Sequence, residues 1–523
     1  MQATFVTMMS VLFQFAVGFE TDRGEATAFL WLPPEAQEIR GVVMAGSTLM
    51  EKQFVCDPLI REACADEQLA IVFLTRGFGS VEPQVVLDKL AEVSGYHDLS
   101  TAGLLFVGHS AGGPQAKARA RQMASRCFGL IQYRGGGPGG DDPLPPGIPA
   151  LMMLGQFDEF AGTMRDEEGR ESWQRGCEHI AEYRAANGGN LAAVLVEPGA
   201  GHFGWSQRNA EFVGMWIRKA AQARMPETVD VDAGVAVELK SIDPRGGWLT
   251  DLNLPTAGGH EPAPYDEYPL DKSATSWHFD RDTAEAAIRY HAGQMDRKDQ
   301  FIEWEDPYWV DAGARFFFTR IDWTGDGQTF EVHPAYADEY PSQYNGRGPR
   351  WAQAGDPVGH SDAPIRVKPV GGPVRAVGPQ KLRIRCDALN PATDPGRVTF
   401  LAYSCGDEEY RYTERVGMLP RGFRGLDKGS EQTITFPEIP DMTPDSGPVE
   451  LNATSDANLK VEYYVAYGPA VVRNGRLEVT ELPARAKLPI EIKVVAYQFG
   501  SGVEPRVQTA EPVERTLMIR ESE

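Results

Sequence analysis

The sequence predicts an α/β fold with a mostly parallel, helix-covered sheet, followed by an irregular segment and an all-β region. Three observations predict it. Over residues 1–225, fully apolar runs alternate with amphipathic stretches of helical spacing. Between residues 226 and 362 this alternation stops and aromatic residues accumulate, and from 363 to 523 short strands are separated by glycine-containing turns. Strands that are apolar on both faces are typical of a parallel sheet buried on both sides.

The elements of the first region follow from its apolar runs. Each expected strand is apolar throughout and ends at Gly, Pro or a polar turn, as in the run LAIVFLT. The expected strands are 41–45, 69–75, 101–107, 128–133, 149–154 and 191–196. The expected helices are 81–93, 114–127, 165–186 and 209–224. The apolar residues of the first of these helices recur at helical spacing, at Val85, Val86, Leu90 and Val93.

The N-terminal segment has two interpretations. Residues 4–19 are apolar enough for the core of a signal peptide, but the first basic residue is Arg23 and no clear cleavage site follows. The alternative is that residues 11–21 form the first strand of a hairpin, because a turn sequence follows at 21–24. We favour the strand, and the cellular location stays open at this point.

Length, charge and composition limit the possible classes. A chain of 523 residues predicts more than one domain, and we expect boundaries near 1–225, 226–362 and 363–523. The composition, 42% hydrophobic and 24% charged, excludes a collagen, a coiled coil and a wholly disordered chain. The net charge of −23 argues against a nucleic-acid partner and against binding to an anionic membrane.

Six cysteines are too few for a disulfide scaffold, although their even number permits up to three bridges. The absence of a C-x-x-C pair from the sequence weighs against a zinc ribbon and against a thioredoxin-like site. We therefore expect neither a metal ion nor a cofactor.

A candidate nucleophile follows the third long apolar strand. Residues 108–113 read GHSAGG and match the pattern G-x-S-x-G, in which Ser110 occupies a sharp turn between a strand and a helix. The pattern alone is weak evidence, and residues 359–362 (GHSD) begin in the same way. Only the first of these two segments follows a buried strand and precedes a helical run, which makes Ser110 the candidate.

Two further residues follow later strands in the order that such a serine requires. A serine hydroxyl needs a base to take its proton and a carboxylate to orient that base. Asp158 comes directly after the strand 149–154, and His202 comes directly after the strand 191–196. Glu159 is the alternative acid. His109, next to the candidate nucleophile, is expected to pack inside the turn rather than to act as the base.

An oxyanion hole needs two N–H donors near the developing negative charge. We expect one from Ala111, which follows the nucleophile and opens a helix. The loop after the strand 41–45 should supply the second, and Ser47 is the first candidate there with Thr48 as the alternative.

With these motifs, residues 11–225 resemble the α/β-hydrolase superfamily, within its esterase branch. The resemblance implies an eight-stranded, mostly parallel sheet and a Ser110–Asp158–His202 triad that works through an acyl-enzyme. Many members carry a lid after the strand that corresponds here to 128–133, but residues 134–147 are too few for a helical lid. The pocket must therefore be open or covered by another part of the chain.

The middle segment is rich in aromatic residues. Six of the ten tryptophans lie there, namely Trp248, Trp277, Trp304, Trp309, Trp323 and Trp351. Each ring buries a large apolar area, so we expect the segment to pack on its neighbours, and a platform for sugar or phenolic rings is the second interpretation. Residues 322–327 (DWTGDG) resemble a calcium loop, but His333 stands where an EF-hand has Glu, so we expect a turn between strands.

The last region contains short strands at the spacing of a sandwich, for example 381–386, 460–467 and 490–498. Residues 461–470 and 488–498 look similar to bacterial immunoglobulin-like modules that are attached to secreted carbohydrate-active enzymes. That resemblance implies a spacer or binding role and favours a secreted or periplasmic location. Cys386 and Cys405 are close enough in this region to permit a bridge.

These features predict a serine-dependent carboxylic ester hydrolase, acting on acyl or feruloyl esters of carbohydrates as small molecules or polysaccharides. Two other functions stay open. One is an oligopeptidase, which would normally carry an N-terminal propeller whose repeats are absent from this sequence. The other is a non-catalytic binding protein on a hydrolase scaffold, against which the complete set of three residues counts. The oligomeric state is not predicted.

Overall fold

The structure is a computed structural model. It describes residues 12–22, 24–79, 81–161, 163–229, 234–253, 259–305, 307–308, 318–342, 351–393, 396–419 and 425–522. Residues 4–11 of the signal-peptide interpretation lie outside these ranges, as does Trp309.

The first region forms one eight-stranded sheet. Its strands are β1 Phe15–Phe19, β2 Ala26–Trp31, β3 Gly41–Gly46, β4 Leu69–Leu74, β5 Gly103–His109, β6 Cys127–Tyr133, β7 Ala150–Gly155 and β8 Ala192–Glu197. Their order is β1-β2-β4-β3-β5-β6-β7-β8. Strand β2 is antiparallel to both of its neighbours, and every pair from β4 to β8 is parallel. This mixed, mostly parallel sheet fits the α/β-hydrolase fold.

Helices cover both faces of this sheet. They are α1 Glu51–Cys56, α2 Pro58–Asp66, α3 Pro83–Ser94, α4 Gly112–Gln122, α5 Gln174–Ala186 and α6 Gln207–Arg224. Successive side chains of a strand point to opposite faces, and Val42 accordingly packs with α3, α4 and α5 while Val43 packs with α1, α2 and α6. Because β5, β7 and β8 run parallel to one another, their carboxyl ends lie at the same edge of the sheet.

Two helical predictions need correction. The helix expected over 165–186 begins only at Gln174, because Gly169 adopts a left-handed conformation (φ 79°) and lets Arg165 bridge back to Glu171. Helices α1 and α2 occupy a stretch to which the sequence assigned no element. Helix α2 begins at Pro58 behind Asp57, whose side chain accepts a hydrogen bond from the Leu59 N–H.

Among its described residues, the rest of the chain forms several small sheets and one α-helix. The middle segment contains β9 Trp248–Asp251, β10 Ala263–Pro264, β11 Thr275–His278, α7 Arg281–His291, β12 Ile302–Trp304, β13 Pro307–Tyr308, β14 Phe318–Thr319, β15 Asp322–Trp323, β16 Thr329–Glu331 and β17 Pro334–Tyr336. The last region contains β18 Arg366–Gly371, β19 Val374–Gly378, β20 Lys381–Ile384, β21 Thr399–Ser404, β22 Thr413–Met418, β23 Ile434–Thr435, β24 Val449–Glu450, β25 Thr454–Ser455, β26 Glu462–Tyr467, β27 Ala470–Arg473, β28 Arg476–Val479, β29 Ile490–Tyr497 and β30 Val513–Ile519.

Strands from both sides of the expected boundary at residue 362 share two of these sheets. One has the order β13-β14-β22-β21-β18 and the other the order β15-β16-β20-β19. The expected boundary between residues 362 and 363 therefore runs through both sheets. Strands β18 to β30 form the all-β region, in which the sheets β23-β25, β24-β28-β27 and β26-β29-β30 are antiparallel. The immunoglobulin-like character of this region stays a prediction.

The described aromatic residues of the middle segment are mostly packing residues. Trp277, Trp304 and Trp351 are buried, and the Trp304 indole N–H donates to the Val416 carbonyl at 2.9 Å. The calcium-like sequence 322–327 leads into the turn between β15 and β16, where one Asp326 oxygen accepts the Gln328 and Thr329 N–H groups.

All six cysteines lie among the described residues, and none of them forms a disulfide. The permitted bridge between Cys386 and Cys405 is therefore absent, and Cys386 is buried whereas Cys405 is exposed. In the described ranges, no helix combines the length and the apolar character that crossing a bilayer requires.

Candidate active site

Ser110 lies at the turn between β5 and α4. It is one of the few residues other than glycine with a left-handed backbone (φ 52°), a conformation that costs free energy and is typical of a strained functional turn. A Cβ atom on Gly108 would overlap the Gly112 carbonyl, and one on Gly113 would overlap the Gly135 carbonyl. The small residues that the sequence pattern demands are therefore needed because backbone segments touch there.

The structure brings His202 and Asp158 together at the same edge of the sheet. His202 Nδ1 lies 3.0 Å from Asp158 Oδ1 and 2.9 Å from Oδ2, and both residues are buried. Burial raises the pKa of Asp158, but the His202 ring and the Phe160 N–H outweigh burial, so this pKa lies below its ordinary value. Asp158 is thus ready to hold the imidazole with its Nδ1 protonated and its Nε2 available.

Glu159, the alternative acid, has a different partner. Its carboxylate accepts the backbone N–H of His202. Burial, followed by the nearby Asp158 charge, raises the pKa of Glu159 to about 7. The geometry therefore favours Asp158 as the residue that orients the imidazole.

His109 packs inside the turn, as its sequence position suggests. It is fully buried, its Nε2 lies 2.9 Å from the His202 carbonyl oxygen, and the two imidazole centroids are 4.8 Å apart. Burial lowers the pKa of His109 well below its ordinary value, and the neighbouring His202 adds to this. A neutral His109 therefore supports the loop that carries His202.

The Ser110 hydroxyl has no hydrogen bond to His202 in the described part of the chain. Ser110 is half-buried, its N–H donates to the Tyr133 carbonyl at 3.0 Å, and its own carbonyl accepts the Gly113 N–H. Such nucleophile–base contacts are often loose without substrate and tighten when substrate binds.

The predicted oxyanion loop is held by a buried glutamate. Glu51 accepts the N–H groups of Thr48 at 3.0 Å and Leu49 at 2.9 Å, and with its other oxygen it accepts the His109 N–H at 2.7 Å. Burial raises the pKa of Glu51 against the effect of these hydrogen bonds. One side chain thus fixes the loop after β3 to the turn after β5.

The backbone N–H of Ser47, which the sequence suggested as the second oxyanion donor, already has an acceptor. The Ser47 N–H donates to the Leu74 carbonyl at 2.8 Å, so it is already used within the sheet edge. Ala111 is exposed and opens α4, as expected. Thr48 Oγ1 lies 2.8 Å from the position of a Cβ atom on Gly112, which places the Thr48 hydroxyl beside the first turn of α4.

Apolar side chains surround the His202 ring. The ring centroids of Phe160 and Phe203 lie 4.4 and 4.9 Å from that of His202. Both phenylalanines pack in one cluster with Leu49 of the loop after β3 and with four residues of β18, β21 and β22, namely Val370, Leu401, Val416 and Met418. The all-β region therefore supplies apolar side chains next to the neighbours of the His202 ring.

Charged side chains from distant parts of the chain meet behind the His202 loop. Arg134 is completely buried, and it pairs with Glu197 at the end of β8 and with Glu414 of β22. Burial lowers the pKa of Arg134, but Tyr133 and these two carboxylates outweigh burial and leave it above its ordinary value. In the described residues, no group of three metal-ligating side chains comes together.

A serine on a strand-to-helix turn, with an aspartate–histidine pair at the same edge of the sheet, is the arrangement found in hydrolases of the α/β-hydrolase type. No family model and no curated protein matches the chain. Solved structures do show distant similarity over the first two fifths of it. An S-formylglutathione hydrolase from Agrobacterium tumefaciens is 17% identical, with 40% of this chain and 94% of that chain covered and a TM-score of 0.29.

Two further solved structures are similar over the same share of the chain. The esterase domain of a Rhodothermus marinus protein is 17% identical, with 40% of this chain and 97% of that chain covered and a TM-score of 0.26. A hyperthermophilic esterase from the archaeon Pyrobaculum calidifontis is 13% identical, with 40% and 87% covered and a TM-score of 0.28.

Sequence reasoning missed Glu51 and Glu414. Glu51 has a weak local signal, since an acidic residue opens a short helix two residues after Leu49. Glu414 has none, because it is 213 positions from the Gly201 N–H that it accepts.

Proposed function

We propose that the protein is a serine-dependent carboxylic ester hydrolase that works through an acyl-enzyme. The observation that carries the proposal is the contact of His202 Nδ1 with Asp158, at the sheet edge where Ser110 occupies a left-handed turn. A protonated Nδ1 leaves Nε2 as the base, and only this nitrogen is free to take the proton of a serine hydroxyl.

In the first half of the reaction, Ser110 Oγ attacks the ester carbonyl while His202 Nε2 takes the hydroxyl proton. The tetrahedral oxyanion is stabilised by the Ala111 N–H at the positive end of α4 and by the Thr48 hydroxyl beside it. His202 then returns the proton to the departing alcohol oxygen, the carbonyl–oxygen bond breaks, and the acyl group stays on Ser110. Asp158 stabilises the imidazolium during these steps.

In the second half, water attacks the acyl-enzyme and His202 takes one of its protons. The carbon–oxygen bond to Ser110 breaks, His202 protonates Ser110 Oγ, and the acid leaves. The substrate class we propose is an acyl or feruloyl ester of a carbohydrate. Support for it comes from the aromatic and apolar neighbours of His202, Phe160 and Phe203, which suit a short acyl or phenolic group.

The test compares wild type with Ser110→Ala. Wild type should hydrolyse p-nitrophenyl acetate and release acetate or ferulate from acylated polysaccharides, and Ser110→Ala should lose both activities. Ser361→Ala is the matched control. Ser361 lies in the segment GHSD, which begins like the segment around Ser110, but its hydroxyl bonds to Gln300 and Tyr336. Equal activity in wild type and Ser110→Ala would refute the mechanism, and cleavage of synthetic esters alone would remove the carbohydrate assignment.

A further inference from the structure

We propose that Glu414, on strand β22 of the all-β region, is a positioning residue for the loop that carries His202. This inference rests on the proposed function, because it assigns Glu414 a role in the same reaction. It also makes the all-β region a part of the active site, whereas the sequence resemblance gave that region the role of a spacer or binding module.

The carboxylate of Glu414 enters the first region directly behind His202. One of its oxygens accepts the Gly201 N–H at 2.8 Å, and the other accepts the Tyr412 hydroxyl at 2.5 Å. A Cβ atom on Gly204 would overlap the same carboxylate, so both sides of His202 in the chain pack against Glu414. The approach of Glu414 therefore requires a glycine at 204, whereas a Cβ atom on Gly201 would meet the Glu159 carboxylate.

The residue that precedes strand β22, Tyr412, also contacts the beginning of this loop. Gly199 has a left-handed backbone (φ 69°), and a Cβ atom there would overlap the carbonyl of Tyr412, just before β22. The loop from 199 to 204 is therefore shaped to fit the end of a strand that is more than 200 positions away in the chain. Every residue of β22 is buried, which leaves this strand little freedom to move.

The backbone of the loop is held by three side chains. Gln156 accepts the Gly199 N–H at 2.8 Å, Glu414 accepts the Gly201 N–H, and Glu159 accepts the His202 N–H. Gln156 and Glu159 belong to the loop that carries Asp158, so they fix the base relative to its acid. Glu414 is the only one of these three that comes from the all-β region.

Glu414 also forms a buried ion pair with Arg134. The Glu414 side chain is 1% exposed, and Arg134 Nη1 lies 3.4 Å from Oε1. Removing Glu414 leaves Arg134 with Glu197 as its carboxylate partner and takes away the acceptor of the Gly201 N–H, which costs free energy in a buried site. The loop then gains freedom at the residue next to the base, and the base leaves its working position relative to Ser110.

The test uses the full-length chain with Glu414→Ala, Glu414→Gln and a matched control, Glu462→Ala. Glu462, on β26, pairs with Arg383 at 3.2 Å and accepts the Tyr497 hydroxyl at 2.9 Å, so it is a comparable ionic residue of the same region away from His202. For each variant we would measure kcat and KM on p-nitrophenyl acetate, the rate of fluorophosphonate labelling and the hydrogen exchange of residues 199–204.

Glu414→Ala should lower kcat and the labelling rate about 100-fold at nearly unchanged KM, because a displaced base slows the chemical step. Glu414→Gln should restore activity to within about tenfold of wild type, because its amide oxygen still accepts the Gly201 N–H. Exchange of residues 199–204 should rise about tenfold or more in Glu414→Ala only. Glu462→Ala should keep the wild-type kcat and exchange.

Wild-type kcat and loop exchange in Glu414→Ala would overturn the proposal, as would an equal loss of kcat in Glu462→Ala. If the alanine variant fails to fold, Glu414→Met repeats the test with a side chain of similar length that lacks the oxygen acceptors. A wild type that neither hydrolyses esters nor reacts with fluorophosphonate would refute the proposed function. The exchange of residues 199–204 would still decide the role of Glu414.

Discussion

His202 Nδ1 lies at 3.0 and 2.9 Å from the two carboxylate oxygens of Asp158, and this contact defines the chemistry of the site. It selects the tautomer in which Nε2 is the free nitrogen. Asp158 is the carboxylate that bonds to the ring of His202, whereas Glu159 accepts its backbone N–H.

The first prediction concerns this carboxylate. Asp158→Asn should lower kcat on p-nitrophenyl acetate about 10³-fold or more, because an amide can hold the imidazole in the wrong tautomer. Glu159→Gln serves as the control, since the Glu159 carboxylate accepts the backbone N–H of His202, and it should retain kcat to within about tenfold. A larger loss in Glu159→Gln than in Asp158→Asn would reverse the roles of the two acids.

The second prediction concerns pH and stability. The pKa of Glu159 is raised from 4.5 to about 7 by burial and by Asp158, so the folded state holds a proton that the unfolded state releases. Its contribution therefore favours folding at low pH and is lost as pH rises from about 4.5 to about 7, by about 3 kcal/mol in total.

Glu159→Gln removes this titration. Its free energy of unfolding, measured by urea denaturation, should therefore improve relative to wild type as pH rises from 5 to 8. Parallel pH profiles for the two proteins would show that Glu159 titrates normally in the folded state.

The third prediction concerns the turn that carries Ser110. Gly108→Ala should lower the free energy of unfolding by about 3 kcal/mol, because the added methyl would overlap the Gly112 carbonyl and backbone must shift. Gly18→Ala is the matched control, since a Cβ atom there would meet no atom within 4 Å, and it should change stability by less than about 1 kcal/mol. Equal stability of the two variants would mean that the turn has more room than the structure shows.

The fourth prediction concerns the second oxyanion donor. Thr48→Val keeps the shape of the side chain and removes its hydroxyl, and it should lower kcat about 100-fold with little change in KM. Ser47→Ala should have a smaller effect, because the proposed donor is the Thr48 hydroxyl and the Ser47 N–H is bonded to Leu74. A loss confined to Ser47→Ala would assign the donor to the Ser47 hydroxyl instead.

Short-range sequence patterns were sufficient to predict the strands of the first region and the candidate residues that follow them. The strands of the first region are apolar on both faces and end at glycines or polar residues, so their positions could be predicted to within a few residues. Ser110, Asp158 and His202 could be selected because each follows such a strand, and parallel strands end at the same edge of a sheet. The helix from 165 was wrong because a left-handed Gly169 and the Arg165 bridge interrupt it.

Contacts between distant residues had no such signal. Trp351 packs on Phe157, next to Asp158, with centroids 4.9 Å apart, and neither residue is marked by periodicity. The Glu414 contact with Gly201 and the use of the Ser47 N–H within the sheet edge likewise depend on tertiary packing. The middle and last regions thus support the acid loop and the base loop, respectively.

The most direct test of the central claim is the reaction of the full-length protein with a fluorophosphonate, followed by mass spectrometry of its peptides. If Ser110 is the nucleophile, we expect stoichiometric, time-dependent labelling of Ser110 alone. Ester hydrolysis should be lost in the same proportion, and Ser110→Ala should not be labelled. Wild-type protein that stays unlabelled, or that is labelled at another serine while Ser110→Ala keeps its activity, would contradict it.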